Sequence, residues 1–154
     1  MIFLYHFTAL RFKKNIEKHG LRIGGIPQTV VPPRIDWGWV WLTQSPDFKQ
    51  SWNSMFMIKY DRAAVRFDVA IPDSEKGNLV KWTDGGKLLT EPATYRDLTR
   101  FGDPENWFVF RGKIPPSWFV SISLKSEVES PGGVTGDDTR APSSIWVRDT
   151  ARLL

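Results

Sequence analysis

The sequence predicts an α+β domain in which short, mainly antiparallel strands outweigh short helices. Three observations carry this. Val65, Phe67, Val69 and Ile71 alternate with Arg66, Asp68 and Ala70, the period of a strand with one face buried. Strand-length apolar runs recur along the chain between Gly- and Pro-rich stretches. Helical periodicity, where it occurs, lasts only a few turns before a glycine stops it. With 154 residues, no internal repeat and no second core, the chain fits one domain.

The elements follow in order. Ile2 to Phe7 is a short buried strand, apolar and aromatic. Thr8 is placed to cap the helix that follows, in which Ala9, Phe12, Ile16 and His19 recur at spacings of three and four. Gly20 is the expected left-handed stop, with Leu21 behind it reaching back to Ile16. Gly24 to Gly38, with Pro27, Pro32 and Pro33, reads as a loop. Trp39 to Thr43 is a second strand. Ser45 and Pro46 then open a short helix carrying Phe48 and Trp52.

Met55 to Tyr60 and Val65 to Ile71 read as strands, Pro72 to Gly77 as a turn, and Leu79 to Trp82 as a further short strand. Pro92 starts a helix with Tyr95, Leu98 and Phe101 on one stripe, ended by Gly102. Trp107 to Arg111 and Trp118 to Leu124 are strands joined through the stiff Ile114-Pro115-Pro116. Residues 1–126 form the domain. Residues 127–154 are a flexible loop, rich in Gly, Pro, Ser, Thr and Asp, and a C-terminal segment in which Ile145 to Val147 can dock as a last strand.

Composition removes several chemistries. With no cysteine, disulfides, thiolate catalysis and sulfur-ligated zinc are excluded, and with two histidines a histidine-rich metal site is not expected. No apolar run has the length of a membrane span. No basic n-region precedes a long apolar h-region, so no signal peptide is expected and the cytoplasm is the expected location. A net charge of +4 and a pI near 9.5 permit a phosphate-bearing partner, the basic residues being scattered rather than blocked. Eight tryptophans are more than one core usually needs; most are expected in the core, leaving some to stack on a ligand.

Three blocks carry the functional expectation. Leu4-Tyr5-His6-Phe7-Thr8, followed by Gly20-Leu21-Arg22-Ile23, resembles the opening of the catalytic domain of the ADP-ribosyltransferases, especially the poly(ADP-ribose) polymerase branch. That family has His-Gly-Ser or His-Gly-Thr after a strand, then a helix, then Gly-Leu-Arg-Ile, and the spacing from histidine to glycine matches without a gap. Val40-Trp41-Leu42-Thr43 stands where the family has Ile-Tyr-Phe-Ala, and Trp52 falls where the family has the ring that stacks on nicotinamide. Trp107-Phe108-Val109-Phe110 resembles the Tyr-Ile-Val-Tyr strand that follows the family's catalytic glutamate.

The resemblance implies an ADP-ribosyltransferase-like split of mainly antiparallel sheets. It implies NAD as co-substrate without a metal, and transfer of ADP-ribose to a macromolecular acceptor, protein or nucleic acid, with nicotinamide leaving. His6 would hold the adenosine ribose. Phe7 would bind the carboxamide through its backbone, with Thr8 supplying a further polar contact, Trp41 and Trp52 would sandwich the nicotinamide, and Thr43 belongs to the same NAD-binding set.

Breaking the nicotinamide–ribose bond develops positive charge on the ribose, which a nearby carboxylate stabilises. Aligning Trp107 with the family's tyrosine puts Asn106 at the carboxylate position and Glu105 one residue before it. Glu105 is the candidate catalytic residue beside His6, and Glu91 the reserve. Phe7 in place of the family's glycine and Trp41 in place of its tyrosine are the other departures. Small size suggests a toxin-like, phage or bacterial defence transferase by analogy. The rivals are a catalytically silent NAD- or ADP-ribose-binding relative, an RNA 2′-phosphotransferase-like enzyme and a basic, aromatic nucleic-acid-binding module.

Overall fold

A computed structural model describes residues 1–22, 24–28, 32–47, 61–100, 102–125 and 146–148. Its centre is a seven-stranded antiparallel sheet built from β1 (Ile2–Thr8), β4 (Trp39–Thr43), β5 (Val65–Ile71), β6 (Leu79–Lys81), β7 (Trp107–Arg111), β8 (Phe119–Lys125) and β9 (Trp146–Arg148). Their order across the sheet is β6-β7-β4-β1-β5-β8-β9. A separate ribbon pairs β2 (Gly25–Gln28) with β3 (Arg34–Trp37). Among the described residues three short α-helices complete the α+β fold: α1 (Lys13–His19), α2 (Trp82–Leu89) and α3 (Pro92–Arg100).

The sheet is not uniformly knit. β1 pairs with β5 along its whole length, from Ile2 opposite Ile71 to Thr8 opposite Val65. On its other side β1 meets β4 at one position, Tyr5 opposite Thr43. The result is two half-sheets, β6-β7-β4 and β1-β5-β8-β9, joined along a seam one residue pair long.

Alternation within the strands divides the core in two. Leu4, Val40, Leu42, Val65, Phe67, Val69, Ile71, Phe110 and Ile122 meet Ile16, Leu21 and Ile114 in a first cluster that spans both half-sheets. Trp107 and Val109 turn the other way and meet Ile26, Trp82 and Leu98, with Trp39, Trp41, Val80, Leu89 and Tyr95 packed around them. This second cluster covers the β6-β7-β4 half, roofed by α2, α3 and the β2–β3 ribbon. On the same face of the β1-β5-β8 half, Arg66 and Asp68 form a half-buried ion pair 2.8 Å apart. Ser121 donates to Asp68 at 2.6 Å, and the guanidinium lies over the Tyr5 ring.

Several local expectations are corrected. Thr8 does not cap the first helix: β1 runs through it, and Ala9, still extended, precedes a 3-10 turn (Leu10–Phe12) that leads into α1. Gly20 does end α1 with positive φ (78°), but its ψ of 179° is extended rather than left-handed helical. Close approach dictates glycine there, since a Cβ would stand 2.2 Å from the Ile114 carbonyl oxygen. Leu21 then bridges to Ile114.

The stretch Gly24 to Gly38 contains the β2–β3 ribbon rather than loop alone. Gln28, 5% exposed, locks that ribbon to the α2–α3 junction. Its amide donates to the Leu89 carbonyl and to Asp36, and its oxygen accepts from Thr90 and from the Glu91 N–H. The strand expected from Leu79 stops at Lys81, and Trp82 begins α2 despite two glycines. The turn after Pro72 is a 3-10 helix (Asp73–Asn78). The expected last strand docks as β9 on β8. The expected strand Met55 to Tyr60, the helix residues Phe48 and Trp52, and the loop 129–144 lie outside the described residues.

Candidate functional site

The three sequence blocks meet at the seam. Tyr5 on β1 is opposite Thr43 on β4, and Thr43 is opposite Trp107 on β7, so residues far apart in sequence share one row of the sheet. β4 offers β1 no ladder pair beyond Tyr5, and at that point the His6 side chain takes over. Its Nδ1 lies 2.9 Å from the Trp41 carbonyl oxygen. A carbonyl can only accept, so Nδ1 carries the proton and Nε2 of the neutral ring is left with its lone pair.

Burial lowers the pKa of His6 below the ordinary 6.5, and the positive charge of Arg62 pushes the same way; the hydrogen bond to Trp41 only partly opposes them. His6 is therefore neutral at pH 7, oriented, and an acceptor at Nε2. It lies opposite Phe67 and two residues from Leu4, on the first-cluster side of β1.

Trp41 serves the seam through its backbone. Its indole turns into the second cluster, 4.7 Å from the Trp82 ring and 5.9 Å from the Trp107 ring, and its N–H donates to the Gly25 carbonyl at 2.9 Å. The structure does not bring the His6 and Trp41 rings together; they point to opposite faces. Thr43 is half-buried and accepts from the Ser45 N–H at 3.0 Å, and Phe7 and Thr8 are half-buried on β1, opposite Arg66 and Val65. Trp52 lies outside the described residues.

Glu105 stands on a 3-10 turn (Pro104–Asn106) at the entrance to β7 and is exposed. Asn106 is tied down: its carbonyl accepts from the Gln44 N–H at 2.9 Å, its side-chain oxygen from Gln44 Nε2 at 2.7 Å, and its amide donates to Asp103. Gln44, which no motif pointed to, fixes the turn of Glu105 and Asn106 against the end of β4. Glu91 sits apart, at the start of α3, with its carbonyl accepting from Tyr95. Arg62, too, was not legible beforehand; only the three-dimensional fold brings its charge within range of His6.

Among the described residues no three His, Asp or Glu side chains gather as a metal ion would require, and no helix is long and apolar enough to cross a membrane. No family model and no curated protein matches the chain. The chain is similar to one solved structure, EcPltA, with a TM-score of 0.52 and 15% identity over 92% of this chain and 89% of that one. That likeness is one of fold.

Proposed function

We propose that the chain is an NAD-dependent ADP-ribosyltransferase, transferring ADP-ribose to a nucleophile on a macromolecular acceptor and releasing nicotinamide. A cytoplasmic setting belongs to the same proposal. The observation that carries the reading is the seam: the three blocks that resemble the family lie on consecutive strands β1, β4 and β7, and His6 is held there by the Trp41 carbonyl.

A neutral imidazole whose Nδ1–H donates to the Trp41 carbonyl keeps a lone pair on Nε2, the acceptor that a ribose hydroxyl needs. Arg62 adds positive field for the diphosphate of NAD. Cleavage leaves positive charge on the departing ribose, and Glu105 at the entrance to β7 is the carboxylate that would stabilise it and orient the incoming nucleophile. The ring that covers nicotinamide would be Trp52, since the Trp41 indole is packed against Trp82 and Trp107 on the face away from His6.

The test is nicotinamide release from NAD, followed by mass spectrometry. His6→Asn keeps a donor for the Trp41 carbonyl and removes the Nε2 acceptor; we expect it to lower release about a hundredfold, and Glu105→Gln to do at least as much. Release unchanged in both variants would reject the reading.

A second reading follows from Asn106, which occupies the aligned carboxylate position and is held in place by Gln44 and Asp103. A silent relative would bind NAD without turnover. Thermal stabilisation by NAD with no nicotinamide released, abolished by His6→Asn, would select it.

A further inference from the structure

A groove of about 420 Å³ opens at the far end of β6 and β7, beyond the seam. Phe110 and Trp118 form its apolar wall, with ring centroids 5.8 Å apart and planes at 87°. Arg111 and Lys113, both exposed and neither in an ion pair among the described residues, stand at its rim. Glu75 and Asn78 also line it, the Asn78 amide donating to Glu75 at 2.9 Å and leaving Asn78 Oδ1 as an acceptor.

The basic rim continues past the groove. The bridge of Leu21 to Ile114 brings the end of α1 against the turn after β7. There the charges of Arg22, Lys18 and Lys113 all act on His19. An aromatic wall, a rim of cations and an amide and a carboxylate in the same lining are the parts a nucleotide needs: a face to stack on, charge for its phosphate and polar atoms for its base edge. The volume suits one such unit. A duplex, with its bases already stacked, has no ring to offer Trp118.

We propose that this groove binds single-stranded nucleic acid, one base entering beside Trp118 and its flanking phosphates meeting Arg111 and Lys113. The proposal goes beyond the NAD reading and is tested without NAD. Fluorescence anisotropy of a labelled 12-nucleotide single strand with the full chain, at several salt concentrations, is the measurement.

Arg111→Gln with Lys113→Gln, both at exposed positions, should weaken binding about tenfold or more. It should also flatten the dependence of log affinity on log salt by about 1.4, the loss of two phosphate contacts on a single strand. Trp118→Leu should weaken binding with the salt slope unchanged, while Trp118→Phe, which keeps a ring, should recover most of it. Absence of binding by the unaltered chain at low salt, or equal binding by the double variant, would overturn the proposal. So would poly-glutamate or duplex competing as well as the single strand, because charge alone would then suffice.

Discussion

The two sides of the β6-β7-β4 half-sheet are packed by different chemistry, and the difference explains where the molecule is closed and where it opens. The first cluster is mostly aliphatic and runs beneath both half-sheets. The second is built from rings, with Trp82 stacked on Tyr95 at 5.5 Å and tilted against Trp41 at 4.7 Å, and it stops at the seam. Beyond the seam the corresponding face of β1, β5 and β8 carries Tyr5, Arg66, Asp68 and Ser121 instead. Either cluster loses stability when buried volume is removed. In the second cluster the close ring contacts also leave little room for added volume.

The largest effect is expected in the first cluster. Phe67 is fully buried on the central strand β5, 5.0 Å from the Phe119 ring. Phe67→Ala should cost about 3–5 kcal/mol in denaturant unfolding, the range for emptying an aromatic site. A loss under about 1 kcal/mol would mean the cluster does not hold the half-sheets together.

The second cluster makes a further demand. A Cβ on Gly86 would stand 2.5 Å from the ring of Trp82, which is fully buried and has no room to yield. Gly86→Ala should therefore destabilise by about 1–3 kcal/mol, although alanine is the better helix former by about 1 kcal/mol. Gly77→Ala, where nothing lies within 4 Å, is the control and should be nearly neutral. A stabilised Gly86→Ala would show the rings to be loosely packed.

A smaller effect separates the seam from both clusters. The folded state holds the His6 pKa below 6.5, so the unfolded chain binds the proton more readily. The stability this contributes is complete above pH 6.5 and is lost as pH falls through the folded pKa. The exposed His19 shifts in the same direction, so the comparison must be made against His6→Asn. Thermal melts between pH 7.5 and 5 should show a steeper fall in Tm for the unaltered chain than for the variant. Parallel curves would mean that His6 is not desolvated at the seam.

Much of this organisation was legible in the residues. The strands β1, β4, β5, β7, β8 and β9 follow from apolar and alternating runs, because their side chains meet the core with period two. The β2–β3 ribbon did not, since Gly24, Gly25 and Pro27 read as loop, and its pairing is fixed from outside by Gln28 reaching the Leu89 carbonyl. Nor did α2: its two glycines argue against a helix, and the gain comes from the Trp82 ring lying over Gly86, a contact no propensity records.

For the site, His6 and the segment at Glu105 and Asn106 stand out by spacing. That Tyr5, Thr43 and Trp107 share a row depends on pairing between strands distant in sequence. The direction of the Trp41 indole, away from His6, is likewise decided by Trp82 and Trp107 in the second cluster.

The central claim is that His6 sits at the seam as a neutral, oriented acceptor for NAD, and ¹⁵N NMR of its imidazole tests this most directly. At pH 7 the account predicts a proton on Nδ1, bonded to the Trp41 carbonyl, and an Nε2 resonance that moves when NAD is added. A proton on Nε2, or an Nε2 signal unmoved by saturating NAD, would contradict it.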